Sequence, residues 1–251
     1  MLYDESRLLH LATGDQVPVV VRAQSSPLTR PKCVLLHGNP GSLQVWARLM
    51  PLLEEVADVA ALDLPGFGRS ARRDTTSEGV SLTALAQAAL ATLDALGWNE
   101  PCFVIGHSHG AAVAQTLAAT HQQRVAGIVL LASLGAPAHL GYRLLALPGA
   151  SSVARFSGWL LRSQDLRSMV QVVQGRPSEA ILEAAPRIQC PALFLHGQRD
   201  ALVPVEFART IHARIAGAGG NSRFEILPGA GHSLVRYQAA QIAERVRAFL
   251  R

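Results

Sequence analysis

Short apolar runs alternate with longer helical patterns along most of this chain, and this alternation limits its fold more than any other feature. The runs are rich in leucine and β-branched residues without strict alternation, which is typical of strands covered on both faces. Such strands are predicted at 33–36, 59–62, 102–105, 128–131, 192–195 and 223–227. Strand, helix, strand in repetition predicts an α/β fold with a mostly parallel, doubly wound sheet between helical layers.

Turn and cap signals mark the ends of individual elements. A turn signal at 13–15 precedes the apolar run 17–21 and predicts an opening hairpin. Apolar residues recur at helical spacing over 82–93, with Ser81 as a candidate N-cap and Gly97 as a C-terminal stop. Further helices are predicted at 111–119 and 235–250.

The stretch from 137 to 187 interrupts this rhythm. It is apolar and helical in pattern, and a segment of that length between two strands is typical of an inserted helical cap rather than a loop. We therefore expect a core formed by 1–136 and 188–251, and a cap at 137–187. Two aromatic residues of the cap, Phe156 and Trp159, are expected to line a pocket roofed by hydrophobic side chains.

Residues 106–110 read Gly-His-Ser-His-Gly, directly after an apolar run and at the start of an alanine-rich helix. In that strand–turn–helix context, a G-x-S-x-G motif presents a nucleophilic serine on a tight turn. Glycines two positions before and after the serine let strand and helix approach each other. The N-terminus of the helix favours negative charge that develops at the serine. Ser108 is therefore the candidate nucleophile.

A serine hydroxyl is a poor nucleophile unless a base takes its proton and a carboxylate orients that base. Both residue types follow later in the chain, each just after a predicted strand, where open α/β sheets have their sites. Asp200 follows the run 192–195, and His232 is the one histidine after the last predicted strand. We predict that Ser108, His232 and Asp200 are nucleophile, base and acid.

A glycine-rich loop, His37-Gly38-Asn39-Pro40-Gly41, follows the run 33–36. Acyl transfer builds negative charge on a carbonyl oxygen, and backbone N–H groups must meet that charge. The N–H of His109, directly after the nucleophile, is one expected oxyanion donor. The N–H of Asn39 is the other, although the side-chain amide of Asn39 could also face the pocket.

Together these motifs resemble the α/β-hydrolase fold superfamily, in its serine-nucleophile, esterase-like branch with a helical cap. The resemblance runs from 37–41 through Asp63-Leu64-Pro65-Gly66-Phe67-Gly68-Arg69-Ser70 to 106–110, Asp200 and 231–232, in the order of that family. It implies that the predicted core is an α/β-hydrolase core and that Asp63 belongs to a structural turn. The resemblance is far less specific for substrate, because this fold carries many activities.

Two departures from relatives affect the prediction. Haloalkane dehalogenases and many epoxide hydrolases also resemble this chain, some dehalogenases even in an asparagine at the position of Asn39. They use an aspartate nucleophile where this chain has Ser108, which argues against dehalogenation. His109 stands where methionine, leucine or glutamine is often found. Three roles are open for the His109 side chain: contact with the acyl group, a shift in the pH response of the pocket, or capping of the helix. We favour the helix cap.

Composition argues against several other classes of protein. The net charge is +5, but the arginines are scattered and aromatic residues are only 5% of the chain, so we expect no nucleic-acid partner. His107 and His109 flank a tight turn without a carboxylate cluster, so we expect neither a metal site nor a cofactor.

No apolar run approaches the roughly 18 residues of a membrane span, and residues 1–10 lack the pattern of a signal peptide. The three cysteines, Cys33, Cys102 and Cys190, are predicted to be buried free thiols in a reducing cytosol. We expect a cytoplasmic protein, and the sequence leaves its oligomeric state open.

The expected function is a serine hydrolase that cleaves a carboxylic ester, or a related acyl bond, through an acyl-enzyme intermediate. The expected partner is a small-molecule acyl substrate with an apolar portion. The same residues could act on a thioester, lactone, amide or carbon–carbon bond, or in a biosynthetic cyclisation. A non-hydrolytic ligand sensor on the same fold is the less favoured alternative, because a pure binder has no need of a positioned base.

Overall fold

An eight-stranded sheet forms the centre of the molecule. A computed structural model of the chain describes residues 2–23, 30–70, 81–133 and 177–251, and all eight strands lie within these ranges. The strands are Arg7–His10 (β1), Gln16–Arg22 (β2), Lys32–Leu36 (β3), Asp58–Leu62 (β4), Cys102–His107 (β5), Val125–Leu131 (β6), Ala192–Gly197 (β7) and Ser222–Leu227 (β8). Their order in the sheet is β1-β2-β4-β3-β5-β6-β7-β8.

The sheet is mostly parallel, as predicted. β1 and β2 form the expected antiparallel hairpin, with Arg7 opposite Val19. Gly14, at φ 84° in the connecting turn, adopts a conformation that a side chain would disfavour. β2 also runs antiparallel to β4, whereas all pairings from β4 through β8 are parallel.

All six strands predicted from apolar runs are present as β3 to β8, but each extends beyond its apolar run. The largest functional consequence is in β5, which continues through Gly106 and His107. These two residues pair with Leu130 and Leu131 of β6. Backbone pairing does not require an apolar side chain, so the ladder runs up to the candidate nucleophile itself.

Helices cover both faces of the sheet. They are Met50–Leu53 (α1), Leu82–Ala95 (α2), His109–Thr120 (α3), Pro177–Ala184 (α4), Val205–Gly217 (α5), Leu234–Tyr237 (α6) and Ala239–Phe249 (α7). Apolar residues of α2 to α5 pack in one core cluster with one face of the sheet. Residues of α1, α6 and α7 pack in a second cluster with the opposite face. This arrangement confirms the doubly wound α/β fold.

The predicted helix boundaries are correct at α2 and wrong at the C-terminal helix. The Ser81 hydroxyl accepts a hydrogen bond from the Ala84 N–H (3.2 Å), and Gly97 follows the helix at φ 71°. The single helix predicted over 235–250 is instead two helices, because Gln238 leaves the helical region at φ −121°. Apolar residues keep helical spacing across this break, so the pattern gives no sign of it.

The predicted cap lies mainly outside the described residues, which resume at 177, and Phe156 and Trp159 lie outside them too. The last part of the segment is described and is helical, as α4 followed by a 3₁₀ turn at Ala185–Arg187. Ile181 and Ala185 are fully buried in the same cluster as α3 and α5. Residues 177–187 therefore pack against the core, while the cap itself stays a prediction.

Candidate active site

Ser108 occupies a strained turn between β5 and α3. Its backbone has φ 51° and ψ −114°, a region that non-glycine residues rarely adopt, and its N–H is held by the Leu131 carbonyl (2.9 Å). The two glycines of the motif are sterically required. A Cβ on Gly106 would lie 2.5 Å from the Ala111 nitrogen, and one on Gly110 would lie 2.5 Å from the His37 carbonyl oxygen. No larger residue fits at either position without moving the backbone.

The structure brings Ser108, His232 and Asp200 together. His232 lies in the loop between β8 and α6, and Asp200 in the loop between β7 and α5. The Asp200 carboxylate accepts a hydrogen bond from His232 Nδ1–H (2.9 Å), and in the neutral ring of this tautomer Nε2 is the acceptor. Nε2 then accepts from the Ser108 hydroxyl at 3.1 Å. A neutral imidazole in this tautomer is able to take the serine proton.

The second carboxylate oxygen of Asp200 is also occupied. It accepts hydrogen bonds from the backbone N–H groups of Leu202 (3.0 Å) and Val203 (2.9 Å). Burial opposes ionisation of Asp200, but the hydrogen bond and charge of His232, together with the Val203 N–H, hold the pKa of the carboxyl below its usual value. The carboxylate is therefore charged and fixed in orientation beside the base.

The glycine-rich loop after β3 packs directly against the nucleophile turn. A Cβ on Gly38 would lie 3.1 Å from the Ser108 Cβ, so this glycine permits the close approach that brings Asn39 next to the site. The loop is fixed by His37, whose Nδ1–H donates to the Gly38 carbonyl (2.8 Å) and whose Nε2 accepts from the Leu64 N–H (3.0 Å). The Asn39 side-chain oxygen is buried and has no hydrogen-bond partner in the described part of the chain.

His109 begins α3 and is 2% exposed. Its ring lies 5.9 Å from the Phe67 ring, centroid to centroid. Burial, reinforced by nearby His37, lowers the pKa of His109 to about 3. Nδ1 has no hydrogen-bond partner among the described residues, so this nitrogen does not cap the helix, contrary to the interpretation favoured from sequence.

Asp63 forms the structural turn that the family resemblance implies. Its carboxylate accepts hydrogen bonds from the Tyr3 hydroxyl (2.6 Å), the Leu43 N–H (2.6 Å) and the Arg69 N–H (2.7 Å). Gly68, at φ 56°, stands where a Cβ would enter the carboxylate. This buried aspartate joins the chain start to the loops after β3 and β4.

Two histidines to which the sequence assigned no catalytic role, His107 and His196, form hydrogen bonds to the loops that carry His232 and Asp200. His107 donates from Nε2–H to the His232 carbonyl (2.9 Å). His196 donates from Nε2–H to the carbonyl of Val203 (3.0 Å), and the same nitrogen lies 3.6 Å from the Asp200 carboxylate. Both lie near the carboxyl end of a parallel strand close to a site residue, and that position was the signal available in the sequence.

The other sequence predictions concern features away from the triad. Within the described ranges, no three histidine, cysteine or carboxylate side chains are grouped closely enough to bind a metal ion. No helix of those ranges is long and apolar enough to span a membrane. All three cysteines are free thiols. Cys33 and Cys102 are buried as predicted, while Cys190 is only partly buried.

Comparison with known proteins settles the family. The family model described as alpha/beta hydrolase fold matches residues 34–160, which include the loop after β3 and the turn at Ser108. The chain belongs to the α/β-hydrolase family. A second family model, the dienelactone hydrolase family, matches residues 158–248, which include Asp200 and His232.

Individual relatives of this α/β hydrolase carry different names. It is 32% identical, over 87% of its length, to the dihydrolipoyllysine-residue acetyltransferase component of an acetoin cleaving system from Pseudomonas putida, and covers 63% of that protein. It is 31% identical to the pimeloyl-[acyl-carrier protein] methyl ester esterase of Edwardsiella ictaluri, with 80% and 85% of the two chains covered. The enol-lactonase structure from Burkholderia xenovorans has a TM-score of 0.76 at 20% identity, covering 97% of this chain and 99% of that one.

Proposed function

We propose that this α/β hydrolase is a serine hydrolase that cleaves a carboxylic ester of a small molecule by two-step acyl transfer to water. One observation carries the proposal, the continuous hydrogen-bonded series from the Ser108 hydroxyl through the His232 ring to the Asp200 carboxylate. A carboxylate, a base in the correct tautomer and a strained serine are the groups that nucleophilic acyl transfer requires. They meet at the carboxyl ends of the parallel strands.

The first half of the reaction transfers the acyl group to the enzyme. His232 Nε2 takes the Ser108 proton as Oγ attacks the ester carbonyl carbon, and Asp200 stabilises the imidazolium that forms. The N–H groups of Asn39 and His109 donate to the oxyanion of the tetrahedral intermediate. The carbon–oxygen bond to the alcohol then breaks, and the alcohol leaves with the proton from His232.

The second half reverses these roles with water as the nucleophile. His232 takes a proton from water as its oxygen attacks the acyl-enzyme carbonyl, and the same two N–H groups meet the second oxyanion. Collapse of this intermediate releases a carboxylic acid and returns the proton to Ser108 Oγ. No step calls for a metal ion or a cofactor.

The ester is the favoured bond because the Edwardsiella ictaluri relative is named as a methyl ester esterase. Lactones are the next candidates, since a dienelactone hydrolase family model and an enol-lactonase structure also match. The same residues remain suited to a thioester, an amide, a carbon–carbon bond or a biosynthetic cyclisation. The predicted cap, residues 137–187, is proposed to cover the site, with Phe156 and Trp159 contacting an apolar part of the acyl substrate.

The proposal predicts that Ser108→Ala abolishes both turnover and covalent labelling. A fluorophosphonate should add once to the wild type, because Ser108 Oγ bonds to phosphorus as fluoride leaves and His232 takes the proton. Intact mass should show this adduct on the wild type and none on Ser108→Ala. Across a panel of esters, lactones and thioesters, the variant should lose at least about 1,000-fold in kcat.

Ser81→Ala is the matched control, because it removes a hydroxyl that caps α2 and lies outside the site. It should keep the adduct and the turnover, with a stability loss of about 1 kcal/mol. A kcat for Ser108→Ala within about tenfold of the wild type, or labelling at another residue, would sink the assignment. A folded wild type with neither adduct nor turnover, but with ligand-induced shifts in Tm, would favour the sensor function.

A further inference from the structure

His107 fills the space between three segments of the candidate site. It is the last residue of β5 and directly precedes Ser108. Its Nε2–H donates to the backbone carbonyl of His232 at 2.9 Å, and the two imidazole rings are 5.2 Å apart, centroid to centroid. On the other side, a Cβ on Gly38 would lie 3.0 Å from its Nδ1. One ring therefore lies between the nucleophile turn, the loop of the base and the loop that carries Asn39, one of the two expected oxyanion donors.

The ring also remains neutral at the pH of an ordinary assay. His107 is buried, and the ionisable groups that affect it are His232, Asp200 and His37. Burial, and then the neighbouring His232, lower the pKa of His107 to about 4. The hydrogen bond to the His232 carbonyl is therefore made without a second positive charge beside the base.

We propose that His107 is a positioning residue, which holds the backbone of His232 so that its ring meets Ser108 on one side and Asp200 on the other. The proposal rests on the proposed function for its effect on turnover. Its physical basis is that the base is carried by a loop, whereas His107 is carried by a central strand paired with β6. The hydrogen bond from His107 on the strand to the His232 carbonyl in the loop restrains the position of the base.

The reaction rate should depend on how His107 holds the His232 loop, because the proton must move along a short hydrogen bond. The two bonds of the His232 ring are 2.9 Å and 3.1 Å long, and a displacement of the loop changes both at once. A misplacement of about 1 Å is able to reduce a rate about 100-fold. Substrate binding need not change, since His107 acts through His232.

Two variants of matched length test the proposal. His107→Gln keeps an N–H donor near the position of Nε2, whereas His107→Met has a similar length and no donor. Active sites are counted by fluorophosphonate adduct, so that kcat refers to folded, reactive protein. We expect His107→Met to lose about 10- to 100-fold in kcat, with KM changed less than about threefold, and His107→Gln to recover most of the loss.

A second readout does not depend on turnover. In protein with ¹⁵N-labelled histidine, the proton in the hydrogen bond between His232 Nδ1 and Asp200 should give a downfield resonance. That resonance should persist in the wild type and His107→Gln and broaden or vanish in His107→Met. A wild type that forms no adduct but shows this pattern would overturn the proposed function and leave the positioning role standing.

Other results would overturn the positioning role itself. One is a kcat for His107→Met, per active site, within about twofold of the wild type. Another is equal loss in both variants, which would indicate a packing requirement rather than a hydrogen bond. A downfield resonance unchanged in His107→Met would contradict the role regardless of activity.

Discussion

Five histidines of the described ranges lie at the candidate site, and their ring nitrogens form different contacts. His37 and His107 bind backbone groups that shape the loops, and His196 does the same beside Asp200. His109 is buried with an unpaired Nδ1. The side chain of His232 is 17% exposed and contacts both other triad residues. Among these five, the His232 ring is the one whose nitrogen contacts the Ser108 hydroxyl.

The buried rings make stability depend on pH. The pKa of His107 is lowered from 6.5 to about 4, and that of His109 from 6.5 to about 3. Below pH 6.5 the unfolded chain therefore binds protons that the folded chain excludes. The free energy of unfolding is unaffected by these two groups above pH 6.5 and falls as the pH drops towards their folded values, by up to about 1.4 kcal/mol per pH unit for each ring.

We predict that His109→Leu flattens this dependence. Urea unfolding at a series of pH values between 4.5 and 6 should give a slope smaller than that of the wild type by about 1 kcal/mol per pH unit. Phe67→Leu, which changes the ring packed on His109 without removing a titrating group, should keep the wild-type slope. Equal slopes for the wild type and His109→Leu would mean that His109 takes up protons in the folded state.

The sequence predicted the candidate triad residues more readily than the residues that hold them in place. Ser108, Asp200 and His232 were identifiable because each stands in a local motif at a strand end. The contact between His107 and the His232 carbonyl spans 125 positions. A side-chain bond to a backbone carbonyl leaves no pattern of residue types, so the strand-end position of His107 was the signal in the sequence and its partner was identified only in the structure.

At the scale of elements, α3 packs closely against the sheet at the site. Its first turn lies against the end of β3, where a Cβ on Gly110 would collide with the carbonyl oxygens of Leu36 and His37. Backbone atoms cannot rotate away as a side chain can, so any accommodation requires α3 to shift relative to the sheet.

Gly110→Ala should therefore destabilise the protein by at least about 2 kcal/mol in urea unfolding. Gly217→Ala is the matched substitution at the end of α5, where an added Cβ meets nothing within 4 Å. It should be neutral or stabilise by up to about 1 kcal/mol, because alanine restricts the unfolded chain. Similar losses at both positions would refute the close packing of α3.

The boundary of a strand or helix could be predicted where the spacing of apolar residues changes along the chain, and it was missed where that spacing stays the same. The apolar runs identified β3 to β8, and Ser81 and Gly97 marked the two ends of α2. The break between α6 and α7 was missed, since Val235, Ala239 and Ile242 keep the spacing of a continuous helix across Gln238. A pattern of apolar positions does not report a change in the backbone dihedral angles of a single residue.

For the whole molecule, the division between core and cap has energetic consequences. The sequence boundary assigned 177–187 to the cap, yet Ile181 is fully buried in the core cluster that also contains residues of α3 and α5. A side chain in that position should contribute to the stability of the entire fold rather than to a separate unit.

Ile181→Ala should lower the free energy of unfolding by about 2–5 kcal/mol in a single transition. Glu183→Ala, at an exposed position of the same helix, should change it by less than about 0.5 kcal/mol. If Ile181→Ala instead produced a separate early transition with the main one unchanged, α4 would belong to an independently unfolding unit.

The wide separation of the site residues along the chain also affects how the protein is made. Ser108 precedes His232 by 124 positions, and β6, β7 and β8 are all synthesised in between. In the proposed mechanism, a growing polypeptide therefore carries Ser108 without its base until the residues that follow β8 have been synthesised. On that mechanism, an unfinished chain that lacks His232 has no base to activate Ser108.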